Sequence, residues 1–93
     1  MRVWFRPAAE LELSEIVAWY SRYAPEIVDR LEAELEELVQ RMTVAPLEFP
    51  VKYRSVRQAL FASLPYRLFF TISRRRIEVL AVRHQSRDPR QWP

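Results

Sequence analysis

The sequence contains no cysteine, no glycine, a single histidine and a single lysine. Without cysteine there is no disulfide framework, no thiolate metal site and no cysteine nucleophile. One histidine, His84, is too few for a histidine-built metal cage. Lack of glycine excludes a P-loop and a dinucleotide fingerprint, since both bring backbone up to phosphate where a Cβ would collide. No metal and no cofactor is expected. Long apolar runs are also missing: nothing approaches the roughly 20 residues of a membrane span, so no membrane partner is expected. The opening Met1-Arg2-Val3-Trp4-Phe5-Arg6-Pro7 is too short for a signal peptide and ends in charge and proline, which points to the cytoplasm.

What remains is 93 residues, 49% hydrophobic and 29% charged, a globular balance with room for one domain spanning 1–93. The net charge of +3 conceals a segregation. Residues 1–48 carry five basic and ten acidic side chains; residues 49–93 carry ten basic side chains and only Glu78 and Asp88 as acids. All the basic residues but Lys52 are arginine, whose planar fork suits phosphate and carboxylate. A GC-rich genome explains arginine in place of lysine, but not the segregation. The basic half points to an anionic partner, either nucleic acid or an acidic protein.

Residues 2–5 alternate as a short strand, and Pro7 opens a helix over 8–23 with Leu13, Ile16, Val17 and Tyr20 as one apolar stripe. Glu10, Glu12 and Glu15 sit early in it, where they complement the helix dipole. Pro25 starts a second helix over 25–42, with Val28, Leu31, Leu35, Leu38, Val39 and Met42 at helical spacing. Glu26–Arg30 and Glu37–Arg41 are spaced to pair along it, and Glu32, Glu34, Glu36 and Glu37 read as its solvated face. Pro46 and Pro50 bracket a loop, after which the period changes to 2. Three strands follow, at 56–61, 66–73 and 77–82. In the last, Ile77, Val79 and Ala81 alternate with Glu78, Leu80 and Val82. With no glycine for a primed turn, both connections are expected to exceed two residues. The order is β-α-α-β-β-β: an α+β domain with a helical hairpin on one face of a mainly antiparallel sheet. The first strand closes that sheet at an edge or beside a later strand; periodicity leaves both open.

These residues resemble the RelE/ParE superfamily of toxins from bacterial type II toxin–antitoxin modules. The resemblance runs from Pro7-Ala8-Ala9-Glu10 through the proline-separated helices to Leu64-Pro65-Tyr66-Arg67-Leu68-Phe69-Phe70. It ends on His84, Arg87-Asp88-Pro89 and Trp92, a pattern typical of ParE-like members. It implies a toxin neutralised by a cognate, small, acidic, ParD-like antitoxin encoded adjacently, as in plasmid stabilization modules. ParE-like members imply a DNA gyrase inhibitor that acts by binding. RelE-like members imply cleavage of mRNA at the ribosome, and a non-toxic antitoxin-binding remnant is a third reading.

Ribonuclease action needs a base, an acid and cations for the phosphorane. By resemblance, Arg67 matches the strand arginine of RelE-like members, Lys52 stands for one of two lysines, and Arg87 for the late arginine. His84 is a candidate base near neutral pH. The second lysine and the late tyrosine are missing, which favours the ParE-like branch. Each candidate also has a structural reading: Arg67 in an ion pair with a helix glutamate, and His84 as a hydrogen-bonded strand end. Asp88, Pro89 and Trp92 read as a turn and a tail anchor, and Arg74-Arg75-Arg76 as a solvated turn. The facings of Trp4, Trp19, Phe49 and Phe61 are left open by the pattern.

Overall fold

Proline sets the boundaries of the helical half. The computed structural model describes residues 1–86; Arg87, Asp88, Pro89 and Trp92, for which roles were expected, lie outside them. After strand β1 (Arg2–Phe5), Pro7 is the first residue of helix α1 (Pro7–Tyr23), where its missing N–H costs nothing. Ala24 ends the helix by donating to the Tyr20 carbonyl at 2.8 Å. Pro25 opens a single 3-10 turn (Pro25–Ile27) rather than the second helix itself, and α2 runs Val28–Val44. Another 3-10 turn, Pro46–Glu48, leads into the strands.

The strands are β2 (Val51–Tyr53), β3 (Val56–Leu60), β4 (Tyr66–Ser73) and β5 (Arg76–His84), in one sheet of order β1-β5-β4-β3-β2. The expected α+β arrangement is present, with one more strand than periodicity indicated. At three residues, β2 is too short to display alternation, and it is held only by pairing with β3. β1 lies at an edge, parallel to β5, with Val3 opposite Ile77 and Phe5 opposite Val79. Every other pairing is antiparallel.

One bulge changes which side chains reach the core. Phe69 pairs with Ala81 but Phe70 pairs with Val79, so Leu80 is an extra residue in β5. Ile77 and Val79 face the helices; beyond the bulge Val82 does, while Ala81 turns with Phe69 to the opposite face. The expected unbroken alternation of Ile77, Val79 and Ala81 is thus corrected. The core packs Ala9, Leu31, Leu38 and Met42 of the helices on Leu68, Phe70, Ile77, Val79 and Val82. Phe49 and Phe61 close its ends, Phe49 edge-on to Phe70 at 5.5 Å. Trp4 and Trp19 remain about half exposed.

Of the two connections expected to exceed two residues, the one between β3 and β4 does and the one between β4 and β5 does not. Ser73 pairs directly with Arg76, so the β4–β5 connection is the two residues Arg74-Arg75, with φ of 46° and 66°. Tyr53 pairs with Val56, and Arg54 in that turn has φ of 53°. Left-handed backbone favours glycine or asparagine, and a non-glycine residue there costs about 1–2 kcal/mol. This chain has neither glycine nor asparagine and uses arginine at all three positions. Strand pairing on both sides holds them there.

Two glutamates, Glu34 expected on the solvated face of the second helix and Glu12 expected only to complement the dipole of the first, have specific partners. Glu34 accepts hydrogen bonds from the Ser63 amide (3.1 Å) and hydroxyl, pinning the β3–β4 loop to α2. Glu12 accepts from the Val82 amide at 3.0 Å and pairs with Arg83 at 2.7 Å. β5 extends past the end of β1, so this amide has no strand partner and α1 supplies one. Among the described residues the ion pairs are Arg83–Glu12 and those of Glu78 with Arg6 and Arg76. Neither expected pair on α2 forms; Arg41 lies over the Phe49 ring at 4.9 Å instead.

Candidate functional site

The helices cover one face of the sheet, and Gln58, Arg67, Phe69 and Ala81 lie on the other. Arg67 projects from β4 onto the face away from the helices because its neighbours Tyr66 and Leu68 turn toward them. Its guanidinium donates to Gln58 Oε1 at 2.8 Å and lies 5.3 Å from the centre of the Phe69 ring. Gln58 and Phe69 are both buried, although they face away from the helices. Arg67 therefore has a structural setting, and among the described residues it hydrogen-bonds an amide on the neighbouring strand rather than a helix glutamate. Arg83 stands opposite Arg67 in register and turns its guanidinium to Glu12 at the sheet edge.

His84 falls on the other side of the sheet. It pairs with Tyr66, whose ring meets the imidazole edge-on at 5.6 Å. Its Nδ1 accepts from the Ser86 amide at 3.2 Å and lies 3.0 Å from the Ser86 hydroxyl, which places the proton of the neutral ring on Nε2. His84, Tyr66, Tyr20 and Trp19 wall a cavity of about 560 Å³, with Glu12 and Glu15 at its rim. Burial, and then the hydrogen bond and charge of Tyr20, push the Tyr66 phenol up to about 12; the two hydroxyls are 3.4 Å apart.

The candidate ribonuclease residues are dispersed. Arg67 and His84 occupy opposite faces, and Lys52 is exposed on edge strand β2, with β3 between it and β4. Arg87 lies outside the described residues. Among the described residues no cluster of three or more carboxylate, imidazole or thiol groups is placed to hold a metal ion, and no helix is long and apolar enough to cross a membrane.

Sequence periodicity missed a second apolar surface on α1. Besides its buried stripe, α1 exposes Leu11 (59%), Trp19 (54%) and Tyr23 (62%), spaced in multiples of four on one outer face. Trp19 packs on both Tyr20 and Tyr23 with ring centres 5.1 Å apart, and Arg22 lies over Tyr23 at 5.5 Å. On the flank of α1 away from Trp19 and Tyr23, Phe5, Leu13, Val17, Ala18 and Leu35 line a groove of about 530 Å³ between the helices, with Glu10 and Ser14 as its polar members. The i+4 recurrence of Trp19 and Tyr23 was visible in the sequence. What it did not reveal is that Trp19 and Tyr23 stay more than half exposed while the adjacent Tyr20 packs against the core.

The fold is similar to a solved structure of the chromosomal ParDE TA system from P. aeruginosa. The TM-score is 0.75 at 18% identity, over 90% of this chain and 95% of that one. No curated protein matches in sequence. The family described as the ParE toxin of type II toxin-antitoxin system, parDE, matches residues 3–89. The chain belongs to the ParE toxin family of type II toxin–antitoxin systems.

Proposed function

We propose that the protein is a toxin that acts by docking, with DNA gyrase as its target, and that a small acidic antitoxin encoded beside it neutralises it. The observation that carries the docking mode is the separation of Arg67 from His84. A ribonuclease needs a phosphate-binding cation and a proton-transfer group around one scissile phosphate. Here the two project from opposite sides of a sheet, and Arg67 is engaged by Gln58 and Phe69.

The antitoxin is a segment that is extended when free and folds on contact. Its apolar side chains fill the groove beside Leu13, Val17 and Leu35, and the segment continues around α1 to cover Trp19 and Tyr23 on the other flank. Its acidic residues lie toward the basic strands, and a strand of it extends an open sheet edge. Protection from proteolysis of the isolated antitoxin over this segment would count against the ordering step.

Induced expression tests the reading as a whole. Growth arrest relieved by the neighbouring antitoxin, inhibited gyrase supercoiling and intact messages by primer extension are the expected results. Ribosome-dependent message cleavage, abolished by Arg67→Ala in a stably folded protein, would move the chain to RelE-like chemistry. Antitoxin binding without growth arrest would make it a remnant.

A further inference from the structure

We propose that the hairpin end of the sheet, where Arg2, Arg54, Arg74, Arg75 and Arg76 converge, binds the phosphate backbone of duplex DNA. The placement follows from register. Arg74-Arg75 is the β4–β5 tip, and Arg76 starts β5 beside it. Arg2 pairs with Arg76 across the parallel edge. Arg57 pairs with Phe70, so β3 begins near the Arg74 end of β4 and the Arg54 turn falls at that same end. All five arginines are exposed, as is Lys52 on the neighbouring edge strand. Glu78, on the face that carries Arg76, is already divided between Arg6 and Arg76 at 3.2 Å each, and the exposed Glu48 lies on the helix side of this end, beside Met1 and Ile72.

Backbone strain is the second, independent observation. All the left-handed residues among those described, Arg54, Arg74 and Arg75, belong to this cluster. A turn under no demand but folding favours glycine, asparagine or aspartate there. Arginine at all three positions, against backbone preference, places cations on the tips of two hairpins. Such a mismatch between local preference and residue choice is characteristic of functional sites.

The geometry favours a duplex over a single strand or an acidic peptide. The two tips are two strand spacings apart, about 10 Å, comparable with the roughly 12 Å major groove whose flanking phosphates belong to the two strands. Single-strand binders stack bases on open aromatic rings. The rings at this end, Trp4 and Tyr53, carry Arg76 (4.8 Å) and Arg54 (5.3 Å) over their faces. The inference does not depend on gyrase being the target.

Fluorescence anisotropy of a short labelled DNA duplex over a salt series provides the test. The wild type is expected to bind with strong salt dependence. Arg74→Asn with Arg75→Gly, and separately Arg2→Gln with Arg54→Asn, are each expected to weaken binding roughly tenfold or more and to lower the salt slope by about 1–2. Circular dichroism verifies that both variants fold. Arg22→Gln with Arg30→Gln removes the same charge from the helices and is expected to change affinity less than about twofold, because screened charge acts locally. Lack of duplex binding by the wild type, or equal losses from tip and helix variants, would overturn the proposal. So would tighter binding of single-stranded RNA or of polyglutamate than of duplex.

Discussion

Glu34 on α2 and Ser63 in the β3–β4 loop, 29 residues apart, are joined by two hydrogen bonds to one carboxylate. Slight burial raises the Glu34 carboxyl, but the bonds from the Ser63 hydroxyl and from the amides of Ser63, Leu64 and Ala62 outweigh it and hold it below the usual carboxylate value. Glu34→Ala is expected to cost about 1–2 kcal/mol in denaturant titration at neutral pH. Since the folded-state value is depressed, the contribution is present above the unfolded carboxylate value and is lost as pH falls through the folded one. The mutational cost should therefore shrink in acid; a pH-independent cost would show that the link does not involve the charged carboxylate.

Tyr66 supplies a prediction at the alkaline end. Its folded-state value near 12 lies above the usual phenol value near 10. Because burial penalises the phenolate, the fold keeps its full stability below pH ~10 and loses stability as pH rises toward 12. Absorbance titration should show one of the four tyrosines ionising late. Tyr66→Phe should remove that late component, and its survival would reassign it.

The β4–β5 tip should be open to stabilisation. Replacing Arg74-Arg75 by Asn-Gly relieves two left-handed arginines and lengthens the glycine-dependent entropy loss on folding, for a net gain of about 1–2 kcal/mol. Thermal unfolding would register it as a higher Tm. An unchanged or lower Tm would mean that the arginines make compensating contacts.

Trp19 separates docking from folding. It is about half exposed and packs on Tyr20 and Tyr23, so Trp19→Ser should cost about 1–2 kcal/mol and leave the protein folded. Loss of an aromatic anchor from a protein interface typically costs about 2 kcal/mol or more, so antitoxin affinity should fall about thirtyfold. Calorimetric titration with the antitoxin decides this; unchanged affinity would place the docking surface elsewhere.

Much of the fold is local and was legible. The helices follow from a 3.6-residue stripe and from Pro7 and Pro25; the long strands follow from alternation after Pro50. The resemblance carried by Pro65-Tyr66-Arg67 and the chain's ending leads to the family that matches residues 3–89. Arg67 was legible as a strand arginine, but its partners were not, since Gln58 meets it only through the β3–β4 pairing.

Tertiary structure decided everything that depends on pairing between distant segments. β1 takes the edge beside β5 because of what the completed sheet leaves unpaired, and β2 exists only as an addition to β3. The Leu80 bulge inverts the facing of 81–84, and a one-residue insertion leaves no mark in a period-2 pattern. Glu12 and Glu34 look like surface acids on any helical wheel. Their roles arise from an amide that β1 is too short to reach and from a loop that returns to α2. Local composition wrote the elements; the hydrogen bonds left over when they assembled determined which charged side chains became structural and which, at the hairpin tips, stayed exposed.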